Sequence, residues 1–382
     1  MVRRMPDVVM YADTFRSPEL RHEVPLGVPD PFLYAEKDGA RHIAIGSMEI
    51  PRLAALGLFE LHPSEEYGSD ELIRSGLSFA EVRQEVAIAA VKRLGITSAV
   101  VPETFPLWLA DRLRADGVDL TVDGGFFDDR RRVKTEAEIA GIRRAQRGAE
   151  AGMDTVREML RRATENGGGL EVDGEPLTVE RVKSAMAQTF AAHGTIADDF
   201  IVAPGAQGAV GHDMGSGPIR AGVPIVVDVW PRDNESFMFS DMTRTFVVGE
   251  VPDEVREWHR LCKEALDRAI SELKDGADGR AIFDGTCEIF EAAGEPTQRT
   301  KTPGETLADG FFHGLGHGVG LEVHEEPGMG IAAKLPIKAG DVVTVEPGCY
   351  RQGYGGVRLE DLVLVTADGA ENLTHYPYDL AP

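Results

Sequence analysis

Cysteine is scarce: the 382 residues contain only Cys262, Cys287 and Cys349. Three scattered thiols cannot build a disulfide framework or a cysteine-rich zinc site, and a reducing cytoplasm suits them best. Long apolar runs are missing too. None approaches the ~18 residues that a bilayer span requires. The stretch from Met1 to Leu20 carries Arg3 and Arg4 but breaks at Pro6, Asp7 and Asp13, so it does not read as a signal peptide. Positive charge is in deficit, with 40 basic residues against 64 acidic ones and a formal net charge of −24. Such a chain lacks the basic footprint of a nucleic-acid binder. The acidic excess serves solubility, or it supplies carboxylates to bound cations, and net charge alone does not separate the two.

What is present is the balance of a soluble globular protein, 42% hydrophobic and 27% charged, long enough for two domains. The pattern divides near residue 130. Before it, Phe32 to Ala35 and His42 to Ile45 flank Lys37-Asp38-Gly39 as a hairpin. Ala80 to Leu94 has apolar residues at helical spacing and stops at Gly95. Ala99 to Val101 and Val118 to Val122 read as strands around a helix from Leu107 to Leu113. This alternation predicts a small α/β domain over 1–130. Asp123 to Lys134, glycine-rich, then acidic, then basic, reads as a linker or domain boundary.

Beyond it, Glu136 to Arg162 and Thr178 to His193 are predicted helices, with Asn166 to Gly169 a loop between them. Asp253 to Leu273 and Gly279 to Ala293 are helical as well. Phe200 to Ala203, Val223 to Trp230, Phe237 to Val248, Val342 to Glu346 and Leu359 to Thr366 are strand-like. Residues 131–382 are therefore expected to form an α+β domain.

Five polar residues interrupt these apolar segments: Asp228, Asp241, His317, Glu346 and Glu360. Each carboxylate alone is explained by a strand edge or an arginine partner, and Arg244 and Arg358 are near in sequence. Together, four acids in apolar strands would repel one another and lose hydration. Divalent cations relieve that better than single arginines. Carboxylate-rich ligation with one histidine suits manganese, magnesium, iron, cobalt or zinc more than copper. Two bridging carboxylates would hold two metals and one water between them. His313, His317 and His324 fall within twelve residues among Gly314, Gly316, Gly318 and Gly320, which reads as an active-site wall.

The ordered set resembles the pita-bread metallopeptidases: Xaa-Pro aminopeptidase, prolidase, methionine aminopeptidase and the related creatinase. It comprises Asp228, Ser240-Asp241-Met242-Thr243-Arg244-Thr245, His313-x3-His317-x6-His324-Glu325, Val345-Glu346-Pro347-Gly348 and Arg358-Leu359-Glu360-Asp361. The resemblance spans about residues 130–370. It implies a pita-bread (creatinase/aminopeptidase-like) catalytic domain behind a smaller α/β domain. It further implies two divalent metal ions per chain, manganese first, then cobalt or zinc. Asp241 and Glu360 would bridge them, Asp228 would bind one, and His317 with Glu346 the other. Glu346 would also shuttle the proton, His324 would steady the carbonyl oxygen, and His212 would be a further catalytic histidine. His313, Arg358 and Trp230 are assigned to the substrate side, with Arg358 also orienting carboxylates.

The implied activity is hydrolysis of an N-terminal Xaa-Pro bond by a metal-bridging water, in a cytoplasmic homodimer. The domain at 1–130 and the short Glu346 to Glu360 interval point to the proline-directed branch. Two departures stand out. Trp230 and Pro231 replace a glycine-containing stretch after Asp228, and the Asp228 to Asp241 interval is two residues longer than the family's. Strand parity survives an insertion of two. No arginine lies between His324 and Glu346, only Lys334 and Lys338. That favours an aminopeptidase over a strict dipeptidase (prolidase), which would need to grip a dipeptide's carboxylate. Other readings of the same site are a metal-dependent hydrolase or lyase of a small metabolite, and a non-enzymatic binding protein.

Overall fold

The structure is a computed structural model that describes residues 6–382. The chain divides into two compact units between Arg131 and Arg132.

The first unit is built on six strands: β1 (Val8–Ala12), β2 (Phe32–Lys37), β3 (Ala40–Ile45), β4 (Glu60–Pro63), β5 (Ser98–Val101) and β6 (Asp119–Val122). They form one mixed sheet in the order β4-β3-β2-β1-β5-β6. β2 and β3 are the expected hairpin. Asp38 and Gly39 both take positive φ at its turn, 53° and 86°, as a tight two-residue turn demands. Helices α1 (Pro18–Glu23), α2 (Ile50–Ala54), α3 (Ser69–Arg74), α4 (Phe79–Arg93) and α5 (Leu107–Ala115) accompany the sheet. α4 starts at a capping box between Ser78 and Glu81 and buries Val82, Val86, Ala90 and Val91. The stretch read as a linker is instead helix α6 (Gly124–Arg132). Phe127 is buried and Phe126 packs beside it in the core of the first unit. Two adjacent aromatics with an apolar surface to cover outweigh the local glycines and charges.

The second unit opens with α7 (Glu136–Arg162), started by a capping box between Thr135 and Glu138. A small sheet of β7 (Thr164–Asn166), β8 (Gly169–Val172) and β9 (Glu175–Pro176) follows, so the predicted loop is the turn of a hairpin. After α8 (Val179–Ala192) come β10 (Thr195–Ile196), β11 (Ile201–Pro204), β12 (Ile225–Val229), β13 (Arg232–Asp233) and β14 (Met242–Phe246). β11, β12 and β14 form a three-stranded antiparallel sheet. Its one face packs on α7 and α8 through Val202, Val227, Val229, Met153, Met186 and Phe190.

Helices α9 (Asp253–Glu272) and α10 (Gly279–Ala292) then precede β15 (Gly316–Gly318), β16 (Glu325–Met329), β17 (Val342–Val345), β18 (Gly348–Arg351), β19 (Gly355–Arg358), β20 (Asp361–Val365) and β21 (Ala370–Asn372). A five-stranded sheet runs β16-β15-β17-β20-β21, and β18 pairs with β19. Its core joins Trp258, Leu266, Phe283, Phe290, Phe311 and Val343. Among the described residues, no helix is long and apolar enough to cross a membrane.

Close contact between α7 and α8 depends on Gly152. A Cβ there would stand 2.3 Å from Cε1 of the buried Phe190. Gly152→Val should therefore overpack the interface and cost ~1–3 kcal/mol. Urea unfolding of the two proteins measures it, and an unchanged midpoint would contradict so tight a helix pair.

Candidate metal centre

The five residues singled out in the sequence stand within β12 and β15 and at the ends of β14, β17 and β20. β12 and β14 pair with Asp228 opposite Thr243. Side chains alternate along a strand, so Asp241, two residues before Thr243, shares its face with Asp228. The two extra residues between the aspartates are taken up by the hairpin beyond them. That hairpin turns through β13, which pairs with β10, and Arg144 donates to both oxygens of Asp233 at 3.0 and 2.8 Å. Strand parity is thereby kept.

Glu360 reaches the same place from the other sheet. Its N–H donates to the Thr243 carbonyl at 3.1 Å, and the Thr243 hydroxyl donates to Glu360 Oε2 at 2.7 Å. Glu346 follows β17, anchored by its N–H on the Leu315 carbonyl at 2.7 Å. His317 is the middle residue of β15. A Cβ on Gly316 would meet the Thr344 carbonyl oxygen at 2.0 Å, and one on Gly318 the Glu326 carbonyl oxygen at 2.5 Å. Those glycines are thus required by neighbouring backbone rather than by flexibility.

The ring of His317 is oriented by Nδ1–H donating to the Gly318 carbonyl at 3.1 Å. Its Nε2 then presents a lone pair, 3.8 Å from Asp241 Oδ2 and 3.7 Å from Glu346 Oε1. Ligand atoms of Asp241, His317 and Glu360 all lie within 4.8 Å of one another. Burial and the His324 ring hold His317 down at about 4, so it is neutral at pH 7.

Electrostatically the cluster is unbalanced. Burial, then Glu360, Asp228 and Glu346, push Asp241 well above the carboxylate range. Burial, then Asp228 and Glu346, push Glu360 well above it too. Burial raises Glu346 to about 8. Arg358 is the positive charge acting on all three. Its Nη2 donates to Asp228 Oδ2 at 2.5 Å, Nη1 to the Tyr350 hydroxyl at 2.9 Å and Nε to Thr243 at 3.3 Å. Asp228 Oδ1 and Asp241 Oδ1 are buried and accept no hydrogen bond among the described residues. Orphaned oxygens, mutually repelling carboxylates and a neutral imidazole lone pair are the donor set that divalent cations satisfy.

Arg358, assigned to the substrate side and to orienting carboxylates from sequence, donates here to Asp228, Thr243 and Tyr350. Trp230 follows the end of β12 at Val229 and is partly buried, packed against the core that α7 and α8 share with the three-stranded sheet. His313 lies beside Glu346, its Nδ1 3.8 Å from Oε2. Nδ1–H donates to the Gly314 carbonyl at 2.7 Å, and Nε2 accepts from the Tyr350 hydroxyl at 2.9 Å. Both ring nitrogens are consequently used within the protein. His324 is exposed and packs its ring 4.3 Å from that of His317. His212 is exposed on a turn, near enough to influence His313 and His324.

Sequence reasoning gave no role to Tyr350, Thr243 or the Lys134–Glu325 pair. Tyr350 links Arg358 to His313, and its ring fills space left by Gly348 and Gly356, where a Cβ would collide with it at 2.3 and 2.2 Å. Those two glycines were the available signal. Lys134 Nζ donates to Glu325 Oε2 at 2.6 Å, and Glu325 Oε1 accepts the N–H groups of Leu321 and Glu322. This buried pair fixes the turn that carries His324. Arg244, near enough in sequence to be an arginine partner, relieves none of the metal-site carboxylates. It pairs with Asp361 at 2.9 Å instead, and holds the Glu360 carbonyl at 2.8 Å.

Comparison with known proteins follows this geometry. The profile of metallopeptidase family M24 matches residues 140–367. An Xaa-Pro dipeptidase of Pyrococcus furiosus is 33% identical over 247 residues, 64% of this chain and 64% of the relative. The chain thus spans just under two thirds of that relative's length. A second, from Pyrococcus horikoshii, is 29% identical over 75% of this chain and 74% of its own. Among solved structures, Xaa-Pro dipeptidase from Bacillus anthracis superposes with a TM-score of 0.77 at 23% identity, covering 98% of this chain and 94% of that one. X-Pro aminopeptidase from Thermotoga maritima gives 0.77 at 23% identity, over 97% and 96%. These likenesses establish the two-domain fold, a smaller α/β unit followed by a pita-bread unit. With its profile matched over more than half its length, the chain belongs to the pita-bread metallopeptidases, family M24.

Proposed function

We propose that this protein hydrolyses the peptide bond between an N-terminal residue and proline, in the manner of an Xaa-Pro aminopeptidase, using two divalent metal ions. The observation that carries this reading is the buried quartet of Asp228, Asp241, Glu346 and Glu360 around His317, short of positive charge and with two unsatisfied oxygens. Asp241 and Glu360, whose ligand atoms lie with that of His317 within 4.8 Å of one another, are the natural bridging ligands. Asp228 would complete one site, and His317 with Glu346 the other. Manganese is the favoured ion, because hard carboxylate oxygens dominate the set. Bound there, the ions would supply an acidified water and a Lewis acid for the scissile carbonyl.

The chain's own residues do the rest. Glu346, partly exposed at the rim of the cluster, is placed to accept a proton from the attacking water and return it to the departing nitrogen. His324 is placed to donate to the carbonyl oxygen as charge develops there. His212 stands on the same exposed side. His313, its nitrogens already used, offers a substrate only its ring carbons, a surface suited to a proline ring. The X–Pro bond has no N–H to read, so selection must rest on shape. Trp230, partly buried beyond the end of β12, is kept on the substrate side of this proposal.

Relatives named Xaa-Pro dipeptidase support a proline-directed site and also the dipeptidase alternative. Lys334 is exposed and Lys338 half-buried on the stretch before β17, and no arginine lies between His324 and Glu346. A free dipeptide carboxylate therefore has no bidentate partner from that stretch. A homodimer working in the cytoplasm completes the proposal.

Two outcomes are expected. With manganese supplied, kcat/KM should rank Xaa-Pro-Xaa above Xaa-Pro and both above Xaa-Ala-Xaa. A marked preference for the dipeptide would overturn the aminopeptidase reading, and indifference to proline would favour a metabolite hydrolase. Glu346→Gln should lower kcat by ~10²–10⁴-fold while retaining much of the metal. Near-normal turnover in that variant would remove Glu346 from proton transfer.

A further inference from the structure

A second convergence of ligand-type side chains lies in the first unit, on the edge of its sheet. β4 is the edge strand and runs parallel to β3, with His42 opposite Glu60 and Ala44 opposite His62. Residues 60 and 62 alternate back to one face of β4, and His42 shares it. Their ligand atoms meet. His42 Nδ1 is 3.2 Å from His62 Nε2 and 3.3 Å from Glu60 Oε2, and all three atoms lie within 4.8 Å of one another. His42 is buried, the His62 side chain is 21% exposed and that of Glu60 63% exposed, so the cluster opens to solvent on one side.

The spacing is informative. A tetrahedral ion with ~2.0–2.1 Å bonds to nitrogen and oxygen holds its ligand atoms ~3.3–3.4 Å apart. Two of the three edges already have that length. The tautomers agree with it. His62 turns Nδ1 toward the Glu66 carboxylate at 3.8 Å, which favours the proton on Nδ1 and leaves the lone pair of Nε2 facing His42. Glu66 is itself held by Arg93, whose guanidinium lies 3.5 Å from its carboxylate and donates to its carbonyl at 3.2 Å. Burial keeps His42 below its ordinary value, hence neutral and able to ligate from Nδ1 once its proton sits on Nε2.

We infer that His42, Glu60 and His62 form a second metal site, taking one zinc-class divalent ion with its remaining position open to water. Two imidazoles and one carboxylate suit zinc, cobalt or nickel. The carboxylate-rich centre of the second unit suits manganese instead. The competing account is a hydrogen-bonded trio in which His42 Nδ1–H is shared between His62 and Glu60.

The full-length protein tests this with Zn2+ alone as the probe. After equilibration with Zn2+ and dialysis, metal per chain is measured for the wild type, His62→Gln and Glu60→Gln. Both variants lie at the exposed edge strand, and circular dichroism checks their folds. The proposal expects each variant to hold one equivalent less than the wild type, whatever the carboxylate centre retains. Peptide turnover in manganese should stay unchanged. Co2+ in the wild type should add tetrahedral visible bands that both variants lack. Equal zinc content in all three proteins, or no such bands, would reduce the trio to hydrogen bonding and overturn the site.

Discussion

Asp228, Asp241, Glu346 and Glu360 converge on one spot inside the second unit, and Arg358 is the cation placed among them. Charges of one sign at such spacing cannot all ionise in a dry pocket without a compensating ion. Much of the surrounding structure bears on that constraint. Thr243 gives its hydroxyl to Glu360, and Arg358 spends its donors on Asp228, Thr243 and Tyr350. Two oxygens remain without a partner among the described residues, Asp228 Oδ1 and Asp241 Oδ1. A pocket that raises its own acids so far is built for an occupant of opposite charge.

Rigid backbone makes the arrangement tenable. Each ligand is fixed at a strand or strand end, where its own N–H or its neighbour's is already committed. Arg244 binds the Thr243 and Glu360 carbonyls together and is neutralised by Asp361, whose other oxygen accepts from Asn372 and Tyr378 at 2.5 Å each. This second, fully paired acid–base set lies directly behind the unpaired one. The contrast separates structural carboxylates from those held in reserve: Asp361 has its donors, Asp241 does not.

The sequence made the centre legible because ligands at strand ends interrupt apolar runs, and that interruption needs no three-dimensional information. Asp228 inside an apolar strand and Glu346 before Pro347-Gly348 are of this kind. Strand parity even anticipated that the longer hairpin would leave both aspartates on one face. What escaped were contacts made across chain reversals. Tyr350 meets His313 and Arg358 only because β18 folds onto β19. Trp230 lies two residues beyond Asp228, yet the strand ends between them, so alternation no longer fixes the side its indole takes. Phe126 and Phe127 were hidden by glycines and charges, so a helix was read as a linker. The trio His42, Glu60 and His62 is invisible without the parallel pairing of β3 and β4.

The central claim is that the second unit contains a cation-dependent carboxylate cluster, and the pH dependence of its stability tests that most directly. Burial raises Glu346 from an ordinary 4.5 to about 8 in the metal-free fold, with Asp241 and Glu360 raised as well. Below the ordinary histidine value of ~6.5 the lowered His313 and His317 oppose the effect of these raised acids on stability, but above pH ~7 they are neutral in both states, the folded chain binds more protons than the unfolded one, and stability falls as pH rises. Thermal melts from pH 7 to pH 9 should therefore show metal-free protein losing Tm as pH rises through the raised value of Glu346, with manganese restoring it and the gain widening toward pH 9. A metal-free Tm that rises or stays level across that range, with no response to manganese, would contradict the account.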